Sequence, residues 1–234
     1  MSADAVLLSV IVPTCNESVR IATCLRSLLA LRERGAQIIV CDGGSSDDTA
    51  QIAHQHGAQV LHCARGRARQ MNAGAGTAQG RMLAFLHADT HPSEAALKCL
   101  WRLACEPSPH WGRFDVRLSG DGLAFRVIET CMNARSRFTG IATGDQLIFC
   151  SSDLFRQVGA FADIELMEDI QLSTKLRHLQ PPVACTEHVR TSSRKWREDG
   201  VARTVLLMWS LRLAYAMGVA PARLAKLYYR REPQ

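Results

Sequence analysis

The sequence lacks any long run of uncharged apolar residues. No stretch of the 234-residue chain reaches the roughly 18 to 20 residues that a membrane-spanning helix needs. Its nine cysteines include no Cys-x-x-Cys pair, and several stand within apolar runs, so we expect reduced, buried thiols and no structural zinc. The first five residues carry no basic segment, so we expect no export signal. These absences favour a cytoplasmic protein.

A glycine-rich phosphate loop is also missing after the first predicted strand. Residues 14–17 are Thr-Cys-Asn-Glu, without a glycine or a basic residue. A dinucleotide dehydrogenase would place Gly-x-Gly-x-x-Gly there, which makes that class a poor fit. Nucleotidyltransferases usually carry a glycine-rich basic loop at the same point, so this second class is only an alternative.

Positive charge is concentrated at the carboxyl end. Residues 194–234 hold nine Lys and Arg against three Asp and Glu, whereas residues 1–193 hold nineteen of each. The whole net charge of +6 therefore lies in the last segment. A basic tail suits an anionic membrane surface, nucleic acid or a phosphorylated substrate, and the alternative is a solvated helix face.

Short strands and helices alternate through the first part of the chain. Apolar runs predict strands at 7–13, 37–41, 58–63 and 82–86, separated by helical patterns. The run at 82–86 is uninterrupted, as in a strand buried on both faces. Alternation with short connections predicts an α/β fold with a doubly wound, mostly parallel sheet.

The second half changes pattern and predicts a mixed α+β addition. Residues 113–118 alternate between apolar and polar, which favours a half-exposed, antiparallel strand. The remaining pattern predicts helices at 93–104, 123–138 and 170–179, a buried strand at 146–150, a short strand at 183–185 and a polar segment at 188–196.

The last forty or so residues form a basic, amphipathic helical segment. Apolar and aromatic residues mix with arginines at helical spacing in 201–218 and again in 223–231. This pattern is typical of helices that lie at a membrane interface. Ordinary packing against the domain explains the same pattern and is the favoured interpretation. Reversible contact of residues 201–231 with a membrane surface is the second prediction.

Polar side chains stand where the predicted strands end. Asp42 follows the second strand, and His87 and Asp89 follow the fourth. Ligands of open α/β sheets bind beyond the carboxyl ends of the strands. His87 and Asp89 are close enough in sequence to hold one cation, although a capping carboxylate is the alternative reading. Glu168-Asp169 either stabilises a helix N-terminus or supplies a general base with its support.

The order of these motifs resembles that of family 2 glycosyltransferases, in particular small stand-alone bacterial members. The resemblance covers about residues 7 to 180 and rests on segments 9–17, 40–49, 72–74, 85–89 and 168–169. It implies a GT-A-like fold in residues 1–190, with a nucleotide-sugar half at 1–92, an acceptor half at 93–190, and the tail at 191–234 following. It also implies an inverting enzyme that moves a sugar from a nucleotide-sugar donor to a small or lipid-linked acceptor.

The resemblance also implies roles for individual residues. Asp169 matches the catalytic base and Glu168 its partner, while His87 and Asp89 fall where the family's Asp-x-Asp binds a divalent metal ion. The residues that it places at the donor are Pro13, Thr14, Asn16, Glu17, Asp42, Arg67, Arg69 and Asn72. Asp42 would accept a hydrogen bond from the nucleotide base. Arg67 or Arg69 would contact the diphosphate of the donor, and the alternative is that both are simply exposed arginines on a helix.

Two residues depart from the family pattern. Gly43 stands where many relatives have a second Asp, and His87 replaces the first acid of Asp-x-Asp. A histidine ligand favours Mn²⁺ over Mg²⁺. We expect a divalent metal, Mn²⁺ or Mg²⁺, a UDP- or GDP-linked donor and no nucleic-acid partner, on the cytoplasmic side and peripheral to the inner face of the membrane. A non-catalytic nucleotide-sugar-binding protein is the alternative that the altered metal motif allows.

Overall fold

The structure, a computed structural model, describes residues 6–194, 197 and 200–229. The first five residues, on which the expected lack of an export signal rests, lie outside this range, as do parts of the predicted tail at 195, 196, 198, 199 and 230–234. The strands are β1 Leu8–Thr14, β2 Gln37–Asp42, β3 Gln59–His62, β4 Met82–Phe85, β5 Thr90–Pro92, β6 Trp111–Leu118, β7 Ile148–Ser151 and β8 Val183–Thr191. The helices are α1 Ser18–Ser27, α2 Leu29–Glu33, α3 Thr49–Gln55, α4 Arg67–Thr77, α5 Glu94–Cys105, α6 Leu123–Thr139, α7 Ser152–Gln157, α8 Glu168–Leu179, α9 Val201–Ala216 and α10 Pro221–Tyr229.

The strands form one eight-stranded sheet in the order β3-β2-β1-β4-β7-β6-β8-β5. The first four are parallel to one another, and β7 is antiparallel to both β4 and β6. This is the predicted α/β, mostly parallel, GT-A-like sheet. Because the sheet is continuous through both predicted halves, the division at residue 92 stays a prediction.

Helices cover both faces of the sheet, as apolar strands on both sides require. Successive residues of a strand point to opposite faces. Val10 and Val12 of β1 pack with α1 and α5 on one face, whereas Ile11 packs with α4 and α7 on the other. The alternation of buried residues therefore divides the core into two layers with the parallel strands between them.

The carboxyl-terminal part of the sheet differs from the prediction. The strand predicted at 183–185 runs on to Thr191, so it is longer than predicted and includes the first residues of the polar segment 188–196. It continues because β8 pairs with β6 on one side and with the edge strand β5 on the other. Polar residues are tolerated on its half-exposed face. The predicted antiparallel strand, β6, is antiparallel to β7 but parallel to β8.

The two tail helices pack over the segment that leads into α8. Leu211 of α9 and Leu224 of α10 are buried against Leu166 and Met167. Glu168, the first residue of α8, follows Met167 directly. The helices predicted for the tail are confirmed in the part of the chain that the structure describes, and one face of each is packed against the domain.

Candidate active site

Three neighbouring parallel strands end at the same edge of the sheet. Thr14, the last residue of β1, lies opposite Asp42, the last residue of β2, and Ile11 lies opposite Phe85 at the end of β4. His87 and Asp89 stand two and four residues after Phe85. The polar residues predicted from the strand ends are therefore brought to one edge of the sheet.

Asp42 is buried, with an exposed fraction of 2%. Its carboxylate accepts hydrogen bonds from the backbone N–H groups of Gly44 (3.2 Å) and Ser45 (3.1 Å) and from the Ser45 hydroxyl. The His62 ring lies 3.4 Å away. Most of the acceptor sites of the Asp42 carboxylate are thus occupied by hydrogen bonds from the loop that follows β2. Its hydrogen bond to a nucleotide base stays a prediction.

The loops after β1 and β2 are bonded to each other. Asn16 has a left-handed backbone with φ of 55°, a conformation that asparagine adopts more readily than most residues. Its N–H donates to the Ser45 hydroxyl at 2.9 Å, and its side-chain oxygen accepts from the Ser46 N–H at 2.8 Å. The Glu17 N–H donates to the Thr49 hydroxyl at 2.8 Å. These bonds give the predicted nucleotide pocket a fixed shape.

Gln70 of α4 ties together the ends of β1 and β2. Its side-chain amide donates to the carbonyl oxygens of Thr14 at 2.7 Å and Cys41 at 2.8 Å. A Cβ added to Gly43 would lie 3.0 Å from this amide. The space that an Asp at position 43 would need is thus filled by Gln70. The sequence contained a signal that we missed: Gln70 shares the buried face of α4 with Met71 and Gly74.

Three α4 residues predicted to bind the donor have different surroundings. Arg69 is paired with Asp163 at 2.7 Å on the surface. The amide of Asn72 donates to the Phe161 carbonyl at 2.8 Å and accepts from the Phe161 N–H at 3.1 Å, which ties α4 to the chain after α7. The donor-binding roles of Arg69 and Asn72 stay predictions, and their observed bonds are structural.

Arg67 is better placed for a phosphate. Its side chain is exposed to solvent. Burial acts to lower the pKa of Arg67, but Tyr229, Glu168 and Asp169 raise it above its ordinary value. A permanently charged guanidinium therefore faces the carboxylates at the start of α8.

His87 and Asp169 meet at Gly144. A Cβ added to Gly144 would lie 2.7 Å from Cε1 and 2.8 Å from Nε2 of His87, and 3.8 Å from Oδ2 of Asp169. Burial and the Arg67 charge lower the pKa of His87, although three nearby carboxylates oppose this. The ring is therefore neutral at pH 7, which leaves one nitrogen with a free lone pair. Gly144 was missed because no sequence spacing connects it to either partner.

Asp169 is held in one orientation. Its Oδ2 accepts a hydrogen bond of 2.8 Å from the Gly144 N–H, and its Oδ1 accepts one of 2.7 Å from the Ile170 N–H. Glu168 beside it is buried. Burial and the Asp169 charge raise the pKa of Glu168 to about 7, against the effect of Arg67. Two adjacent carboxyls in such different surroundings can carry different protonation states at neutral pH.

Asp89 is half-buried, and the Thr90 hydroxyl donates to its Oδ1 at a long 3.4 Å. Its carboxylate keeps acceptor sites for a cation. Within the described residues, a set of three potential ligand atoms within 4.8 Å of one another is found at Cys99, Cys185 and Glu187. A cation at Asp89 and His87 would therefore need further ligands, such as phosphate oxygens or water.

Sequence comparison identifies the family. The model of Glycosyl transferase family 2 matches residues 9–156. The chain belongs to glycosyltransferase family 2. The match begins in β1 and includes the loops around Asp42 and Asp89, whereas Glu168-Asp169 and the tail lie beyond it.

Individual relatives are more distant. The uncharacterized glycosyltransferase YibD of Escherichia coli (strain K12) is 29% identical over 147 residues, which cover 58% of this chain and 41% of that protein. Residues 1–349 of Staphylococcus aureus TarS superpose with a TM-score of 0.65 at 19% identity, covering 80% of this chain and 61% of that one. The chain thus spans less than two thirds of both.

A third relative was crystallised with ligands. Glucosyl-3-phosphoglycerate synthase from Mycobacterium tuberculosis, in complex with Mn²⁺, UDP and glucosyl-3-phosphoglycerate, has a TM-score of 0.57 at 18% identity. The superposition covers 81% of this chain and 71% of that one. These structural likenesses establish the GT-A fold that the sequence motifs predicted.

Proposed function

We propose that this glycosyltransferase is an inverting enzyme that takes a sugar from a UDP-sugar and uses Asp169 as the base. One observation carries the proposal: Asp169 and His87, which are far apart in the chain, meet at Gly144 beside the carboxyl ends of β1, β2 and β4. A proton acceptor and one member of the metal motif therefore lie side by side.

A UDP-sugar is the proposed donor, with a GDP-sugar as the alternative. TarS and the mycobacterial synthase were both crystallised with UDP. The nucleoside would lie against the bonded loops at 13–17 and 42–49. Arg67, whose guanidinium is exposed and interacts electrostatically with Glu168 and Asp169, is the proposed partner of the diphosphate, because guanidinium and phosphate form strong charge-assisted hydrogen bonds.

Asp89 and His87 fit a divalent metal ion. Asp89 has free acceptor sites, and neutral His87 offers a nitrogen lone pair. Carboxylate oxygen together with imidazole nitrogen suits Mn²⁺ better than Mg²⁺, and the mycobacterial neighbour was crystallised with Mn²⁺. Such an ion would offset the negative charge that develops on the leaving diphosphate.

Asp169 would carry the proton transfer. An acceptor hydroxyl is a poor nucleophile until its proton is removed. As its oxygen bonds to the anomeric carbon, the carbon–oxygen bond to the diphosphate breaks, the nucleoside diphosphate leaves and the proton passes to Asp169. Two backbone N–H groups hold that carboxylate in place. Glu168, whose pKa is raised to about 7, holds a proton about half of the time at neutral pH.

The tail supports contact with a membrane surface. An exposed apolar stripe at helical spacing is formed by Leu206, Trp209 and Leu213 of α9 and by Met217 just after it, with exposed fractions of 62% to 69%. Leu123, Val127 and Phe138 of α6 are also exposed. Among the described helices, none has the length and apolar character needed to cross a bilayer. We propose peripheral attachment to the inner face of the cytoplasmic membrane, through these apolar side chains and the basic charge of the tail.

Donor turnover tests the proposed reaction. The full chain is incubated with Mn²⁺ and a panel of UDP- and GDP-sugars, and release of the nucleoside diphosphate is measured. We expect turnover that Asp89→Ala and Asp169→Asn abolish and that Asp153→Asn, a change in the exposed pair with Arg156, leaves unchanged.

Two outcomes would contradict the reaction. Binding of UDP without turnover by the wild type would indicate a non-catalytic nucleotide-sugar-binding protein. Release of pyrophosphate from a nucleoside triphosphate and a sugar phosphate would indicate a nucleotidyltransferase.

A further inference from the structure

Two arginines beside the active site have buried nitrogen atoms without a hydrogen-bond partner. They are Nε and Nη2 of Arg135 on α6 and Nε of Arg212 on α9. The Nη1 atom of Arg135 donates to the Ile141 carbonyl at a long 3.4 Å. A buried, charged donor that is left unpaired is strongly unfavourable. These atoms therefore indicate a site for a group that supplies acceptor oxygens.

The contacts of both arginines place them near Asp169. Ile141, which accepts from Arg135, begins the segment whose Ala142 is bonded to Ser173 of α8 and whose Gly144 is bonded to Asp169. Arg212 follows Leu211, which packs against Leu166 and Met167 just before α8. Arg135 lies close enough to Arg212 and Asp169 for the charges of both to shift its pKa, and burial and Asp169 raise the pKa of Tyr215, three residues after Arg212 on α9.

The charges around the pair are unbalanced. Burial and the positive charge of Arg212 lower the pKa of Arg135 to about 10, although Asp145 and Asp169 act in the opposite direction. Neither carboxylate lies within salt-bridge distance of the pair in the described part of the chain. Asp145 instead accepts from the Thr143 hydroxyl at 2.6 Å, and Asp169 accepts from backbone N–H groups. Two like charges are therefore held close together without an anion between them.

We propose that Arg135 and Arg212 bind a phosphate monoester carried by the sugar acceptor. The proposal deepens the proposed transferase function and rests on it. Each guanidinium presents planar N–H groups that match phosphate oxygens, and a dianion would satisfy both arginines at once. The donor diphosphate has its own partner in Arg67. A phosphate held here would bring the acceptor's hydroxyl to Asp169.

Two kinds of acceptor carry this group. A water-soluble phosphorylated metabolite would enter from solution. A lipid phosphate would enter from the membrane, and the two helices that supply the arginines also carry the exposed apolar side chains of α6 and α9. The phosphate chemistry is common to both, so the experiment has one arm for each source.

Binding is measured on the full chain, with UDP and Mn²⁺ present to occupy the donor site. The soluble probes are inorganic phosphate and glycerol 3-phosphate, followed by calorimetry. The lipid arm compares neutral vesicles with and without a long-chain isoprenyl phosphate. We expect Arg135→Gln and Arg212→Gln each to weaken binding by about tenfold to a hundredfold, the effect of losing a charge-assisted hydrogen bond. Arg26→Gln, an exposed change of the same charge on α1, should leave it unaltered.

UDP affinity separates the possible failures. A wild type that does not bind UDP contradicts the proposed function itself. A wild type that binds UDP but neither form of phosphate, or variants that bind phosphate as tightly as the wild type, overturn the acceptor site. A loss of UDP binding would show that Arg135→Gln does not fold. Arg212→Gln then decides the question, because Arg212 lies on α9 and not on α6, which packs against β6. Binding only to isoprenyl phosphate vesicles assigns a lipid acceptor, and binding to glycerol 3-phosphate a soluble one.

Discussion

The carboxylate of Asp169 accepts a hydrogen bond of 2.8 Å from the backbone N–H of Gly144, 25 residues earlier in the chain. The same glycine touches the His87 ring, since any side chain on it would overlap Cε1 and Nε2. One small residue therefore sets the spacing between the proposed base and the proposed metal ligand.

Replacing Gly144 with alanine should damage the site more than the fold. The new Cβ would lie 2.7 Å from the His87 ring, so the ring or the loop must move. We expect a loss of about 1–3 kcal/mol in unfolding free energy. Because a displacement of about 1 Å in a catalytic site can cost about a hundredfold in rate, we expect turnover to fall by that order. Denaturant unfolding and donor turnover measure the two effects.

Gly76→Ala is the matched control for this change. Gly76 lies in α4, and an added Cβ would meet nothing within 4 Å. Alanine in a helix is favoured over glycine by about 0.5–1 kcal/mol, so stability should rise and turnover should stay. Equal turnover by Gly144→Ala and the wild type would show that the contact with His87 does not set the geometry.

Glu168 should make the protein less stable as the pH rises. Burial and the Asp169 charge raise the pKa of Glu168 from 4.5 to about 7 in the folded protein, with Arg67 opposing them. Between these values the folded state holds a proton that the unfolded chain has released. The stabilisation of the fold by the proton on Glu168 is thus complete below pH 4.5 and is lost as the pH rises to about 7.

The Glu168→Gln variant tests this dependence through urea unfolding between pH 4.5 and 8. We expect its unfolding free energy to fall less steeply with pH than that of the wild type. Glu165→Gln, at an exposed position close by, should follow the wild type. Parallel curves for Glu168→Gln and the wild type would contradict the raised pKa of Glu168.

Gly43 and Gln70 should be energetically coupled. A Cβ at position 43 would lie 3.0 Å from the Gln70 amide, so Gly43→Ala should cost about 1–3 kcal/mol in the wild type. The cost should be close to zero in a Gln70→Ala background, where the space is open. Gln70→Ala alone should cost about 1–3 kcal/mol, because the carbonyls of Thr14 and Cys41 lose their donor. Unfolding of the four proteins gives the coupling energy, and additive costs would refute it.

The exposed face of α9 should bind anionic vesicles at low salt. Leu206→Ser with Trp209→Ser should weaken this binding by about tenfold or more, because each buried large apolar side chain contributes about 1.5–3 kcal/mol. Val19→Ser, in an exposed apolar residue of α1, is the control and should bind as the wild type does. Vesicle flotation measures all three. A full chain that ignores anionic vesicles at low salt would contradict membrane attachment.

The sequence predicted those parts of the fold that depend on local pattern. The apolar runs that became β1, β2 and β4 end close to the predicted residues, and the polar residues at their ends lie at one edge of the sheet. The length of the strand at 183–191 was underestimated. Its polar residues fit a half-exposed strand face, but this becomes evident only when its neighbours in the sheet, β5 and β6, are known.

The site was predicted less completely, for a physical reason. The contacts of Gly144 with Asp169, of Asn72 with Phe161 and of Gln70 with the two strand ends join segments far apart in the chain. Residue spacing carries no information about such contacts. The motif residues could therefore be named, whereas the residues that orient them could not.

The packing of α9 and α10 on Leu166 and Met167 has a consequence for protein engineering. Part of the surface near Asp169 is formed by chain that lies outside the family match at 9–156. Chimeras joined after β8 would therefore exchange this part of the surface and leave the eight-stranded sheet intact.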